Sequence, residues 1–213
     1  MIKIFLLDRR LLSEDINISF GASEAARLEA IKNPQRHLES LSALVALDRL
    51  LKLSFGDAKF EILRGERGKP YFKDSDISFS LSHSGDLSVA SICDEKYNNV
   101  GIDVEKITDL PNMNGIAERF FTDQEKSEFL RRERAADAFF EIWTKKEAYA
   151  KMTGQGLSSA LGDDISDTNT KFDIKCYEFY NNNDRYSLSL SSYSDIIGVE
   201  FYNNSDVIKI TKK

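Results

Sequence analysis

Apolar positions open the chain as a continuous run and then change to a helical spacing. Residues 1–7 are almost wholly apolar, which predicts a first strand, and a loop follows to residue 20. Residues 23–53 follow a helical period that Asn33-Pro34 interrupts. The second of these two helices carries an apolar stripe from Leu38 to Leu51. The amino-terminal quarter is therefore predicted to be a strand followed by two helices.

Strict alternation of apolar and polar residues begins after a turn at residues 65–70. Residues 77–82 and 87–92 both alternate, and Ser84-Gly85-Asp86 lies between them. Two alternating runs around a short glycine-containing turn predict a β-hairpin.

The carboxy-terminal half repeats this order of helical and alternating segments. Residues 115–152 have a helical period that is broken near Phe121-Thr122. Residues 170–211 alternate like strands on either side of a turn at residues 181–184. The whole pattern predicts an α+β fold.

A faint internal repeat links the two parts of the chain. Phe79-Ser80-Leu81-Ser82 reappears as Tyr186-Ser187-Leu188-Ser189, each with a broken helical block before it and a turn and an apolar strand after it. The second copy has Leu190 where the first has His83. The repeat suggests two similar α+β halves, of which one kept the chemistry; a chance match of four positions is the alternative.

Composition limits the class of protein. The 213 residues are 41% hydrophobic and 30% charged, which is ordinary for a globular protein. No apolar run is long enough to span a membrane, and the first is too short for a signal peptide. Cys93 and Cys176 are predicted to be free thiols in a reducing cytoplasm. The net charge of −6 argues against generic nucleic-acid binding.

The segment Val100-Gly101-Ile102-Asp103-Val104-Glu105 carries the clearest candidate chemistry. In a strand, Asp103 and Glu105 point to one face and Ile102 and Val104 to the other. Two carboxylates one residue apart suit a small divalent cation, Mg²⁺ above all. The alternative is an amphipathic edge strand with a solvated acidic face.

A helical segment at residues 143–151 brings a third carboxylate. Trp143, Glu147 and Lys151 share one helical face, and Lys146 lies beside it. This arrangement could supply a third metal ligand within an anion-binding surface. A surface helix with ordinary charge pairs would have the same sequence pattern.

Two turn motifs could contact an anionic ligand. Ser82-His83-Ser84 ends an alternating strand, and both hydroxyl and imidazole groups can donate to a phosphate oxygen. Gly68-Lys69-Pro70 presents one lysine on a rigid turn. Each motif alone is equally typical of an exposed turn without a function.

Taken together, five motifs resemble the 4′-phosphopantetheinyl transferase superfamily, and most closely its larger, pseudo-dimeric type. They are Gly68-Lys69-Pro70, the segments 79–84, 100–105 and 119–125, and residues 143–151 through Gly154-Gln155-Gly156-Leu157. The resemblance implies two similar α+β halves, residues 1–101 and 102–213, related by a pseudo-twofold axis. It also implies one active site in the cleft between them.

The resemblance assigns the metal and the reacting groups. It implies that Asp103, Glu105 and Glu147 bind Mg²⁺, in agreement with the strand-face argument. Glu125 matches a motif carboxylate near the acceptor serine, and Lys151 would stabilise charge in the transition state. Glu147, Glu125 or a metal-bound water could accept the serine proton, and the sequence does not decide between them.

The resemblance also assigns the contacts to coenzyme A, the co-substrate. Lys69 and Pro70 would contact its nucleotide end, and Ser82 and His83 its phosphates. Two lysines would meet the pyrophosphate: Lys146 and Lys151. The chain departs from the family pattern at Leu38-Glu39-Ser40, where a basic residue for the 3′-phosphate is expected. Arg36 is the first substitute candidate and Arg27 the second.

The implied reaction transfers the 4′-phosphopantetheine arm of coenzyme A to a serine of an apo carrier protein, with release of 3′,5′-ADP. The implied protein is a monomer that binds neither nucleic acid nor membrane. Because the chain is acidic, docking of an acidic carrier would need a local basic patch, for which Arg131, Arg132 and Arg134 are candidates; a solvated helix end is the alternative.

Two other functions remain open: a Mg²⁺-dependent hydrolase of the coenzyme A pyrophosphate, and a non-catalytic module that binds coenzyme A or a carrier.

Overall fold

A computed structural model describes residues 1–13, 16–96, 98–156, 165, 172–205 and 208–212. The helices are α1 (Ala22–Ala30), α2 (Pro34–Phe55), α3 (Met113–Phe120), α4 (Asp123–Arg131) and α5 (Ala135–Thr153). The strands are β1 (Ile2–Asp8), β2 (Ile62–Arg64), β3 (Pro70–Phe72), β4 (Ser78–Ser84), β5 (Leu87–Cys93), β6 (Val100–Lys106), β7 (Asp173–Asn181), β8 (Asp184–Ser192), β9 (Val199–Asn203) and β10 (Lys209–Lys212). Among these helices, none has the length and apolar character needed to cross a membrane.

The longer strands form two four-stranded sheets, with the orders β4-β5-β1-β9 and β10-β7-β8-β6. In the first sheet β1 runs antiparallel to β5 and parallel to β9. In the second, β8 lies between β6 and β7 and is antiparallel to both. Strands β2 and β3 form a separate short pair. The predicted α+β class is confirmed.

Local sequence signals explain where several elements begin. Asn33 caps α2, since its side-chain oxygen accepts from the Arg36 amide at 3.0 Å and Pro34 occupies the first turn. Thr122 caps α4 in a capping box with Glu125. The predicted helical block at residues 115–152 consists of three helices. Besides the predicted break near Phe121-Thr122, the helix also ends at Arg132, where the sequence has neither proline nor glycine.

The internal repeat does not align the hairpins as the sequence suggested. Phe79–Ser82 lies on β4, the first strand of its hairpin, whereas Tyr186–Ser189 lies on β8, the second strand. Ile196 and Ile197, predicted to open a strand, precede β9, which begins at Val199. Residues 170, 171, 206 and 207 of the predicted strand region, and Leu157 of the last motif, lie outside the described residues.

The core forms in layers on both faces of β1. Ile4 and Leu6 join a cluster that also contains Ile102 and Leu188, so this cluster links the two sheets. Phe5 and Leu7, on the opposite face of β1, pack with residues of α2 such as Leu47. A strand buried on both faces accounts for the continuous apolar run at the start of the chain. Both cysteines are free: Cys93 is buried and Cys176 half-buried.

Candidate functional site

Strand β6 and helix α5 carry the acidic residues and lie in direct backbone contact. The contact occurs at Gly101, where a side chain would run into the backbone of α5 at Ala148. Glu147 and Lys151 flank this contact on α5, and Asp103 and Glu105 follow Gly101 on β6. The glycine of the 100–105 motif thus allows the helix to approach the strand that bears the two carboxylates.

Asp103 is buried, and its two carboxylate oxygens have different surroundings. Its Oδ1 accepts hydrogen bonds from the Ser82 hydroxyl and from the Lys151 ammonium, both at 2.7 Å. Its Oδ2 is buried and has no hydrogen-bond partner. A buried carboxylate oxygen without a partner is costly, and a cation that coordinates it would remove that cost.

Glu105 and Glu147 complete an acidic group that one lysine does not neutralise. Burial, and secondarily the negative charge of Asp103, raise the pKa of both carboxyls to about 7. Ser84 donates to Glu105 Oε2 at 2.6 Å. Among the described residues, no three side chains of the metal-binding types stand in a ready-made metal site. The all-oxygen donor set and the unpartnered Oδ2 of Asp103 nevertheless fit a hard divalent cation such as Mg²⁺.

These carboxylates line a cavity of about 520 Å³. The structure brings most of the predicted site residues to its wall: Arg27, Lys69, Pro70, Ser82, His83, Asp103, Glu105, Glu147 and Lys151. Cationic and acidic residues therefore share one cavity, as a ligand with several phosphates and a bound divalent cation would require.

Three predicted residues are not brought to this wall: Lys146, Glu125 and Arg36. Lys146 is 0% exposed, and its ammonium donates to both oxygens of Glu125 at 3.0 and 2.9 Å. Glu125 also accepts from the Thr122 amide as part of the α4 cap. Trp143, which shares the helical face of Glu147, packs on Phe139 with ring centroids 6.0 Å apart. Lys146 and Glu125 thus tie α5 to α4, away from the cavity.

Arg36 lies at a neighbouring pocket. It lines a cavity of about 480 Å³ together with Glu39, Ser40 and His83, and the last two also line the main cavity. Burial lowers the pKa of His83, which favours the neutral imidazole, although Glu39 opposes this shift. The two arginines predicted for the 3′-phosphate therefore lie at different cavities, with Arg27 at the main one.

A buried carboxylate that the sequence did not reveal organises two arginines. Glu24 Oε1 accepts from Arg27 Nε at 2.7 Å and from Arg64 Nη2 at 3.1 Å. Arg64 and Arg67 line the main cavity, and Arg64 also donates to the Gly68 carbonyl at 3.1 Å. Arg64 and Arg67 could have been identified as site residues from their position beside the predicted turn at residues 65–70. No neighbouring motif identifies Glu24.

Lys69 joins the 65–70 turn to the end of α5. Its ammonium donates to the Met152 carbonyl oxygen at 2.6 Å, and burial lowers its pKa to about 8. Gly154, which ends α5 with a left-handed backbone conformation, leaves room for the Lys69 side chain. This contact fixes one wall of the cavity against the other.

The predicted basic patch after α4 is largely paired with acidic residues. Arg132 forms ion pairs with Glu128 and Glu141, at 2.6 and 2.8 Å. Arg134 pairs with Asp137 at 3.6 Å. Next to them, Leu130 is 72% exposed. Arg131 donates to the Ser127 carbonyl oxygen at 3.2 Å, so two of the three predicted arginines are paired with carboxylates and the third is bound to backbone.

Comparison with known proteins gives consistent matches. Residues 99–198 match the family model described as the 4′-phosphopantetheinyl transferase superfamily. The chain is 32% identical over 70% of its length to the putative 4′-phosphopantetheinyl transferase slr0495 of Synechocystis. It is 31% identical over 74% to the 4′-phosphopantetheinyl transferase HetI of Nostoc, and 42% identical over 44% to psf-1 of Bacillus pumilus, which carries the same description. The matched segments span 63%, 69% and 40% of these relatives.

Proposed function

The chain belongs to the 4′-phosphopantetheinyl transferase superfamily, and on that premise we propose that it transfers the 4′-phosphopantetheine arm of coenzyme A to a serine of an apo carrier protein. One observation carries the proposal. A single cavity holds three carboxylates, Asp103, Glu105 and Glu147, together with cationic side chains suited to a ligand with several phosphates.

We assign the metal site to these three carboxylates. Mg²⁺ bound there would neutralise charge that develops on the pyrophosphate of coenzyme A. Asp103 offers its unpartnered Oδ2, and burial, followed by the negative charge of Asp103, raises the pKa of the Glu105 and Glu147 carboxyls. Lys151, held on Asp103, supplies a fixed positive charge beside them.

The reaction proceeds by attack of the carrier serine oxygen on the β-phosphorus of coenzyme A. A new P–O bond forms to the serine, and the bond between the two phosphates breaks to release 3′,5′-ADP. Of the two carboxylates that the sequence left open as proton acceptors, Glu147 lines the cavity and Glu125 is engaged by Lys146 and Thr122. The pairing of Glu125 leaves Glu147 and a water bound to the cation as the acceptors of the serine proton.

The remaining cavity residues bind the ligand. Lys69 and Pro70 are proposed to contact its nucleotide end, and Arg27, with Arg64 beside it, the 3′-phosphate. His83 lies between the two cavities and can donate to a phosphate. The Ser82 hydroxyl already donates its hydrogen bond to Asp103, so we propose that Ser82 orients that carboxylate rather than binding a phosphate.

We also propose that residues 1–101 and 102–213 are pseudo-twofold halves; the boundary falls within β6, most of which belongs to the second half. The orders β4-β5-β1 and β7-β8-β6 support this proposal. So does a shared contact between helix and sheet. In the first half the Ser42 and Ser88 hydroxyls are hydrogen-bonded at 2.7 Å, and in the second half the Thr144 and Ser187 hydroxyls are hydrogen-bonded at 3.2 Å.

We also propose a cytoplasmic monomer, because one chain supplies the cavity and both thiols are free.

The test is incubation with coenzyme A, Mg²⁺ and an apo carrier protein, followed by the intact mass of the carrier. A gain of one phosphopantetheinyl arm, lost when the metal is chelated, is the expected result. Acyl, peptidyl and polyketide carriers are tested in parallel, because the proposal covers all three classes of carrier protein. No gain on any of them would overturn the proposal, and 3′,5′-ADP release without a carrier would identify a hydrolase instead.

A further inference from the structure

Strands β4 and β6 lie side by side although they belong to different sheets. Each is the outermost strand of its sheet on the side that faces the other. Serines occupy positions 78, 80, 82 and 84 of β4, and alternate positions of a strand share one face. All four hydroxyls reach β6, and we call this row the serine ladder.

The first two hydroxyls of the serine ladder bind the backbone of β6. The Val100 amide donates to the Ser78 hydroxyl, and the Ile102 amide to the Ser80 hydroxyl, both at 3.0 Å. These contacts join the two strands through the β6 backbone and involve none of the three carboxylates, although Ser80 also lines the cavity.

The last two hydroxyls bind the carboxylates instead. Ser82 donates to Asp103 Oδ1 at 2.7 Å, and Ser84 donates to Glu105 Oε2 at 2.6 Å. The Ser84 oxygen also accepts from the Lys106 amide at 3.0 Å, so both its donor and its acceptor function are used. Towards the end of β4, the serine ladder thus changes from binding the β6 backbone to orienting acidic side chains.

We propose that Ser82 and Ser84 are positioning residues that fix one oxygen of each carboxylate and leave the other for a divalent cation. This inference rests on the proposed function. A hydroxyl has one proton, and a bond to a carboxylate is charge-assisted, so it restricts the rotation of that carboxylate strongly. Hydrogen bonds of this kind to metal-binding carboxylates typically contribute about 10- to 100-fold to metal affinity.

Ser84 gives the sharper test because it is only part-buried, and because the loss of its bond to the Lys106 amide is matched by the loss of the Val100 bond in Ser78→Ala. Mg²⁺ is titrated calorimetrically into wild type, Ser84→Ala, Ser84→Thr and Ser78→Ala, each without and with coenzyme A. We expect Ser84→Ala to weaken Mg²⁺ binding about 10-fold and Ser84→Thr, which keeps a hydroxyl, to restore most of it. Ser78→Ala, the matched control in the same ladder, should lower the melting temperature and leave Mg²⁺ affinity unchanged.

The outcomes separate the inference from the proposed function. If wild type binds Mg²⁺ and modifies a carrier, and Ser84→Ala binds Mg²⁺ equally well, only the positioning role is wrong. Equal weakening by Ser78→Ala and Ser84→Ala would show that the serine ladder is purely structural, which also overturns the inference. If wild type binds no Mg²⁺ with coenzyme A present, the metal assignment fails and the positioning role fails with it.

Discussion

Gly101 lies against the carbonyl oxygen of Ala148, so closely that a Cβ atom at position 101 would stand 1.9 Å from that oxygen. The Met152 amide nitrogen would be 2.5 Å away. Both atoms belong to the backbone of α5, so no side-chain rotation can relieve the overlap. Any larger residue must push α5 away from β6 and separate Glu147 from Asp103.

We therefore predict that Gly101→Ala destabilises the fold and reduces turnover together. Overpacking of this kind costs about 1–3 kcal/mol, and backbone overlap places this variant at the upper end. Urea unfolding measures the free energy, and carrier mass gain measures turnover. Gly198→Ala is the control, because its nearest atom would be 4.0 Å away; equal unfolding midpoints for the two variants would contradict the packing argument.

Replacement of Asp103 should abolish turnover without unfolding the protein. Asp103→Ala removes the carboxylate that offers Oδ2, and Asp103→Asn keeps the shape but removes the charge. We expect both to reduce transfer by about 100-fold or more, as for loss of a group that holds a catalytic metal. Circular dichroism checks the fold, and Asp57→Asn, at an exposed position, is the control. Near-normal Mg²⁺-dependent activity would remove Asp103 from the metal site.

The buried pair Lys146–Glu125 should matter for stability more than for ligand binding. Lys146→Met leaves Glu125 buried with its charge unpaired, which costs about 3–5 kcal/mol when a buried pair is broken. The neighbouring Lys145→Met removes a part-exposed pair with Glu141 and should cost no more than about 1 kcal/mol. Urea unfolding compares them. A stable Lys146→Met protein with a raised KM for coenzyme A would restore the predicted pyrophosphate contact.

Glu24→Gln should raise the KM for coenzyme A while leaving kcat nearly unchanged. Glu24 holds Arg27 and Arg64, and a neutral amide would hold both less firmly. An increase of about 5- to 10-fold corresponds to roughly 1–1.4 kcal/mol of binding. Glu29→Gln, exposed on the same helix, is the control. A fall in kcat at unchanged KM would show that the two arginines do not bind the ligand.

Lys69 should make stability rise with pH on the alkaline side. Its folded pKa of about 8 lies below the usual 10.5, so the unfolded chain binds more protons between these values and unfolding becomes less favourable as pH rises. Because the side chain is only part-buried, we expect about 1 kcal/mol between pH 8 and 9.5, relative to Lys69→Met. Parallel stability curves for the two proteins would contradict this assignment.

The sequence was informative wherever a signal was local. The Asn33-Pro34 break, the hairpin at residue 85 and the face shared by Asp103 and Glu105 each depend on neighbours along the chain, and the structure has all three. The aligned face of Glu147 and Lys151 likewise brought both side chains to the cavity.

Features that depend on packing between distant segments could not be predicted in this way. Glu24 meets Arg64 across 40 residues of chain, and the sequence does not show which strand passes α1. Lys146 is adjacent in sequence to Glu147, but that one step turns its side chain towards α4. The helix break at Arg132 has no proline or glycine to mark it, and Arg132 there forms an ion pair with Glu141 of α5, which is distant enough along the chain not to be read from the local pattern.

The serine ladder also bears on how the protein avoids aggregation. Outermost strands present free amides that can recruit a strand from another molecule. Here the amides of Val100, Ile102 and Lys106 are satisfied by serine hydroxyls from within the same chain. The outermost strands β4 and β6 thus cover each other, although they do not form one continuous sheet. The serines of β4 thus occupy hydrogen-bonding positions on β6 that a strand of another molecule could otherwise take.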